Sequence, residues 1–228
     1  MVLTLLSALT SMDKKTPLPE LPSPEDHSEK LLLERLKNSA TEEDYFRWLL
    51  LVVGFYRGIG KMESATALLN DFVVKSQDNE RKAHCQLALG QIATDEQRFE
   101  AALTHFRAAL EFRSKRKKIG YVLHNNIGYC LNLLGDYMEG EKYCRMAIDI
   151  NSSRASGYRN LGVSLYGQGD IKSAAWALVE AAKAEPSDSR ARGLLEKLLT
   201  EHPAMVVQCP WIAEGLSPDP RAPDTLLV

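Results

Sequence analysis

Two consecutive stretches, Tyr121–Arg154 (YVLHNNIGYCLNLLGDYMEGEKYCRMAIDINSSR) and Ala155–Asp188 (ASGYRNLGVSLYGQGDIKSAAWALVEAAKAEPSD), align without a gap at a period of 34 residues. In each, an aliphatic residue precedes a glycine (Ile127-Gly128, Leu161-Gly162), and a Gly-Asp pair follows (Gly135-Asp136, Gly169-Asp170). Apolar residues recur at helical spacing on both sides of that pair, while Gly-Asp itself is a helix stop and turn signal. Each copy therefore reads as a helical hairpin. Tandem hairpins at this period predict an all-α solenoid of stacked antiparallel helix pairs, a scaffold that presents surface rather than enclosing a catalytic pocket.

The same signal extends upstream. Val53-Gly54 and Leu89-Gly90 continue the aliphatic-glycine series, giving glycine spacings of 36, 38 and 34 residues. The two excess lengths are assigned to the segments between repeats. The small positions that follow are Thr66, Ala102, Gly140 and Ala174, then Val73, Ala109, Ala147 and Ala181. A small residue at these places lets two helices approach closely. Four units result, at about 47–80, 83–116, 121–154 and 155–188, the first of them degenerate. Ser187-Asp188-Ser189 then caps an amphipathic helix over about 188–202, whose Leu194, Leu195, Leu198 and Leu199 are placed to cover the bare end of the array.

On these residues the chain resembles the tetratricopeptide repeat family. Its fourth unit supplies Tyr158, Leu161, Gly162, Leu165, Gly169, Ile171, Ala174, Leu178, Ala181 and Pro186 at the family's offsets. The third supplies His124, Ile127, Gly128, Leu131, Gly135, Tyr137, Gly140, Cys144 and Ala147, and the second Leu89, Gly90, Phe99, Ala102, Phe106 and Ala109. The resemblance implies a right-handed superhelical solenoid, a protein-binding module whose first helices line a concave wall. One subgroup of the family clamps a C-terminal carboxylate with Lys, Asn, Asn, Lys and Arg. Here the corresponding residues are Leu87, Gln91, Asn126, Ser156 and Asn160, a single match without a cation, so that mode is excluded.

The inner stripe read from the offsets is His84, Leu87, Ala88 and Gln91 in the second unit, Val122, Asn125, Asn126, Tyr129 and Asn132 in the third, and Ser156, Arg159, Asn160, Val163 and Tyr166 in the fourth. The candidate peptide-binding set is Gln91, Asn125, Asn126, Tyr129, Arg159, Asn160 and Tyr166. Asn126 and Asn160 occupy one place in successive repeats, and a carboxamide carries both donor and acceptor for an extended backbone. The alternative is that both are framework. Arg159 is either a carboxylate-binding cation or the partner of a neighbouring helix. In the first unit the stripe is apolar (Trp48, Leu51, Val52, Phe55 and Ile59). Either a preceding helix carrying Leu31, Leu32, Leu33 and Leu36 covers it, or Trp48, Leu51 and Phe55 form a groove for a client's amphipathic segment, as in a dedicated chaperone.

The remaining features bound the function. No phosphate loop survives, because Gly54–Gly60-Lys61 is one residue too long and Met62 stands where a hydroxyl is required. GxSxG and HExxH are absent and the five histidines lack metal-ligand spacing, so no enzyme, metal or other cofactor is expected. The net charge of −2 argues against a nucleic-acid-coating protein. The basic run Arg113-Ser114-Lys115-Arg116-Lys117-Lys118 reads either as a solvated helix end projecting past its neighbours or as a patch for nucleic acid, acidic lipid or an import receptor. Cys130 and Cys144 fall on buried faces, no CxxC occurs among the four cysteines, and a cytoplasmic location is expected. The apolar run near the N-terminus is far below the ~20 residues of a membrane span. Residues 1–24 read as a flexible, proline-rich lead, 25–203 as the solenoid and 204–228 as a loosely ordered tail in which Trp211 either packs back or stands exposed. The partner expected is another protein or peptide; the oligomeric state is left open.

Overall fold

The computed structural model describes residues 29–216, and among them every regular element is a helix. Expectations for the apolar N-terminal run, the proline-rich lead and the last tail prolines lie outside these residues. A short helix α1 (Glu29–Lys37) precedes four hairpins: α2 (Glu42–Gly58) with α3 (Met62–Lys75), α4 (Asn79–Asp95) with α5 (Phe99–Glu111), α6 (Lys117–Leu133) with α7 (Tyr137–Ile150), and α8 (Ala155–Gly167) with α9 (Ile171–Ala184). Then come α10 (Ser189–Glu201), α11 (Met205–Gln208) and α12 (Ile212–Leu216). Each helix packs on its hairpin partner and on the next unit, which is the solenoid expected.

Turn chemistry explains the regularity within hairpins. Gly60, Gly135 and Gly169 all hold left-handed backbone, with φ of 79°, 82° and 82°, where a Cβ is costly. In the second unit Gln97 takes the same conformation at φ 59° without being glycine. Asp136 and Asp170 then cap the returning helices, accepting from the backbone N–H of Glu139 and Ser173. Thr41 does the same for α2 through the N–H of Asp44.

The surplus four residues ahead of the third unit are spent differently from expectation. They do not lengthen α5, which stops at Glu111; they add a turn to the start of α6, which has 17 residues against 13 in α8. The basic run is accordingly the α5–α6 connector plus the first turn of α6, rather than a projecting helix end. Arg113 turns the chain there with φ 51°, and Glu80 anchors the connector by accepting from the Ser114 hydroxyl at 2.6 Å and the Lys115 N–H at 2.8 Å.

Close helix approach is visible at three of the four signature glycines. A Cβ on Gly90 would lie within 2.8 Å of three ring carbons of Phe106, one on Gly128 would lie 2.6 Å from the Cys144 sulfur, and one on Gly162 2.8 Å from Leu178. Gly54 has no atom within 4 Å of such a Cβ, so the first unit keeps the glycine without the close approach. Its core is closed by larger residues, Phe46, Leu49, Val52, Leu69 and Phe72, and by Leu32 and Leu36 of α1. Glu29 fastens α1 by accepting from Tyr56 and Lys61 at 3.0 and 2.6 Å. The preceding helix therefore covers much of the apolar first-unit surface.

At the other end α10 buries Leu195 and Leu198 against α9, as a cap should. The tail does not loosen at residue 204. Met205, Cys209 and Ile212 join the same core, α12 lies on α9, and Trp211 packs against the cluster. The apolar periodicity of this short segment was masked by Pro203 and Pro210, which break it into single turns. All four cysteines are buried and unpaired, and burial pushes the Cys85 and Cys144 thiols up to about 12, consistent with inert core residues.

Candidate functional site: the wall of first helices

Successive first helices touch directly, α4 with α6 and α6 with α8, so they form a continuous wall. The structure brings three of the predicted residues into one cluster. Asn160 on α8 donates its carboxamide hydrogens to the Asn125 side-chain oxygen at 3.1 Å, and Asn125 on α6 donates to the Asn126 oxygen at 3.3 Å. Asn160 is 7% exposed and its amide is thereby committed, whereas Asn125 and Asn126 are half-buried. Equivalent places in adjacent repeats thus differ: the Asn160 amide is committed within the fold, whereas Asn126 is only half-buried.

Tyr129, 42% exposed, stands one turn further along α6, and half-buried Gln91 holds the equivalent place on α4. Arg159 and Tyr166 are set apart from this cluster. Arg159 pairs with buried Asp188 at the start of α10, each side chain being largely withdrawn from water. Burial pushes the Asp188 carboxyl up, but hydrogen bonds from Arg190 and the charge of Arg159 more than offset it, leaving a net lowering. The Tyr166 hydroxyl donates to Glu201, which raises its pKa. Leu87 and Ala88 on the second-unit stripe are buried, and His84 beside them is half-buried; burial, with Arg116 and Lys118 nearby, lowers its pKa to about 4.

The offset predicts Asn132 on the wall, but it lies in the core, 6% exposed. It donates to the Asn160 carbonyl at 2.8 Å and accepts from Ser164 at 2.7 Å, while Ser164 also reaches the Asn160 carbonyl at 3.1 Å. Gly140 opposite leaves the room, since a Cβ there would come 2.5 Å from the Asn132 oxygen. This closed polar knot spans α6, α7 and α8 and positions the wall asparagines from behind. The sequence signal for it was two small residues, Gly140 and Ser164, facing a polar one.

The other candidate group, Trp48, Leu51 and Phe55, is half-buried against the first-unit core. Beside it a shallow cavity of about 350 Å³ opens between α1 and α2, lined by Leu31, Arg35, Asp44 and Trp48 among others. Among the described residues no cluster could hold a metal ion and no helix is long and apolar enough to cross a membrane.

Comparison with known proteins agrees with this architecture. Residues 83–116 match the tetratricopeptide repeat family model, the span of the second unit. An uncharacterized TPR repeat-containing protein of Arabidopsis thaliana is 32% identical over 117 residues, 48% of this chain; the chain spans only 14% of that protein. Among solved structures, BtubC from P. vanneervenii superposes with a TM-score of 0.64 over 86% of this chain and 93% of its own, at 16% identity. MamA from Desulfovibrio magneticus RS-1 gives 0.61 over 78% of this chain and 96% of its own, at 13% identity. At those identities the likeness speaks for the fold alone. Residues 83–116 thus carry a tetratricopeptide repeat, and the fold is the helical solenoid of such repeats, an architecture that serves protein-protein interaction.

Proposed function

We propose that the protein is a non-enzymatic adaptor that takes an extended peptide or a helix of another protein on the wall formed by α4, α6 and α8. The observation that carries this reading is Asn126. Its oxygen is held by Asn125, Asn125 is held in turn by Asn160, and among the described residues no acceptor takes the Asn126 amide hydrogens. A pre-oriented carboxamide on an open wall can donate to a peptide carbonyl at little ordering cost. Tyr129 adds a rigid amphipathic contact beside it and Gln91 a second carboxamide on the next helix. Arg159 and Asn160 serve this reading indirectly, by fixing α8 against α10 and α6, and Tyr166 borders the wall at its far end. Buried, unpaired thiols suit a reducing, cytoplasmic setting.

The test is affinity capture with the wild-type chain beside Asn126→Ala/Tyr129→Ala, whose folding is checked by circular dichroism. A client lost only from the variant supports the wall as the site. A client held equally by both refutes it. A second reading, a chaperone-like binder of an amphipathic segment, draws on the cavity beside Trp48. It predicts that Trp48→Ala/Leu31→Ser releases the client that the wall variant retains.

A further inference from the structure

The basic run supplies none of the candidate binding residues of the wall, and its placement is costly. Arg116, Lys117 and Lys118 stand at the N-terminus of α6, where the helix dipole already presents positive charge, and α6 has neither an acidic residue in its first turn nor a side-chain cap. Every other unit-opening helix except α8 begins with a side-chain cap. The cations at the first turn of α6 therefore meet the helix dipole unfavourably. Inside this run sits Ser114, the one uncharged residue, with Arg113, Lys115, Arg116 and Lys117 exposed around it. Its hydroxyl donates to Glu80 at 2.6 Å and its oxygen accepts from the Arg116 N–H at 3.2 Å, so one side chain joins the second unit to the third.

We propose that Ser114 is a phosphorylation site for a serine kinase that selects basic flanks, and that phosphate there opens the joint to Glu80. The transfer forms a bond from the Ser114 oxygen to the γ-phosphorus of ATP and breaks the bond from that phosphorus to the β,γ-bridging oxygen. ADP leaves and the hydroxyl proton passes to the kinase. Five cations within four positions of Ser114 complement the acidic groove of such an enzyme. The product carries close to two negative charges where a neutral hydroxyl now donates to a carboxylate. Glu80 is thus converted from acceptor to repelling neighbour, while the phosphate gains the cations and the uncapped start of α6.

The first unit supplies an internal control. Ser76 donates to Glu42 at 2.6 Å in the same kind of joint. Yet it is 4% exposed and flanked by Lys75, Gln77 and Asp78. A kinase that reads basic flanks has no reason to choose it.

The experiment treats the full chain with the purified catalytic domain of a protein kinase C and Mg–ATP, and maps phosphate by mass spectrometry. Phosphate is expected on Ser114, not on Ser76, with at least a tenfold slower rate in Arg116→Ala/Lys117→Ala. Phosphorylation should lower the urea midpoint of the wild type and leave that of Glu80→Ala in place, because the repelling carboxylate is gone. An unmodified Ser114, modification of Ser76 at the same rate, or an equal midpoint shift in both backgrounds would overturn the proposal.

Discussion

Substituting alanine at equivalent glycines of successive units should change stability in opposite directions. Alanine is better than glycine inside a helix by about 0.8–1.0 kcal/mol. Gly54 lies within α2 and a Cβ there meets nothing within 4 Å, so Gly54→Ala should stabilise by up to about 1 kcal/mol. At Gly90 the same gain is set against a Cβ placed within 2.8 Å of three ring carbons of Phe106, a side chain that is fully buried in the core. Overpacking of this kind costs about 1–3 kcal/mol, and such an approach puts the cost at the upper end. Gly90→Ala should therefore destabilise by about 2 kcal/mol. Urea denaturation followed by circular dichroism and tryptophan fluorescence would measure both, with coincidence of the two probes checking cooperativity. Adding Phe106→Leu should recover part of the Gly90→Ala loss, a coupling expected only if the ring is the obstacle. Equal effects at the two glycines would refute the packing assignment, as would full additivity with Phe106→Leu.

Three further outcomes follow from the geometry. His84 has its pKa lowered by burial to about 4, so the unfolded chain binds the extra proton first; stability is complete above about pH 6.5 and lost as pH falls toward 4. His84→Gln should remove up to roughly 3 kcal/mol of that pH dependence, read from urea midpoints between pH 7 and 4.5. Gln97→Gly should stabilise by about 1 kcal/mol, because Gln97 alone among the four hairpin turns holds left-handed backbone with a side chain; an unchanged thermal midpoint would contradict the turn geometry. Asn132→Ala should cost about 1–3 kcal/mol by removing two hydrogen bonds from the buried knot, the Ser164 hydroxyl keeping its bond to the Asn160 carbonyl, and Asn132→Ala/Ser164→Ala should cost less than the sum.

Hairpin number, turn positions and the capping helix were legible because they rest on local chemistry: left-handed glycines, aspartate caps and helical apolar spacing. What escaped the sequence depended on how residues from different units meet. The offset that identified Asn126 and Asn160 as equivalents is correct along the chain. It could not show that Asn125 of the previous unit would take the Asn160 amide, leaving the two with different exposure. Asn132 read as wall because its offset is polar; the void left by Gly140 draws it inward instead. Gly54 carries the repeat's signature without its packing, since the neighbouring core residues of the first unit are larger. The basic run reads onto the wrong helix because an insertion of four residues fits either the end of α5 or the start of α6, and local sequence does not distinguish them.

The return of Met205–Leu216 over α9 governs how the chain could be lengthened. α12 occupies the flank of α9 on which another hairpin would have to stack. A unit spliced on beyond Leu216 would find that berth taken. A duplicate of Ala155–Asp188 inserted directly after Asp188 would instead push α10–α12 outward as a block. They would land on a second copy of the surface they already fit, adding one register to the wall while the end-stop stays terminal.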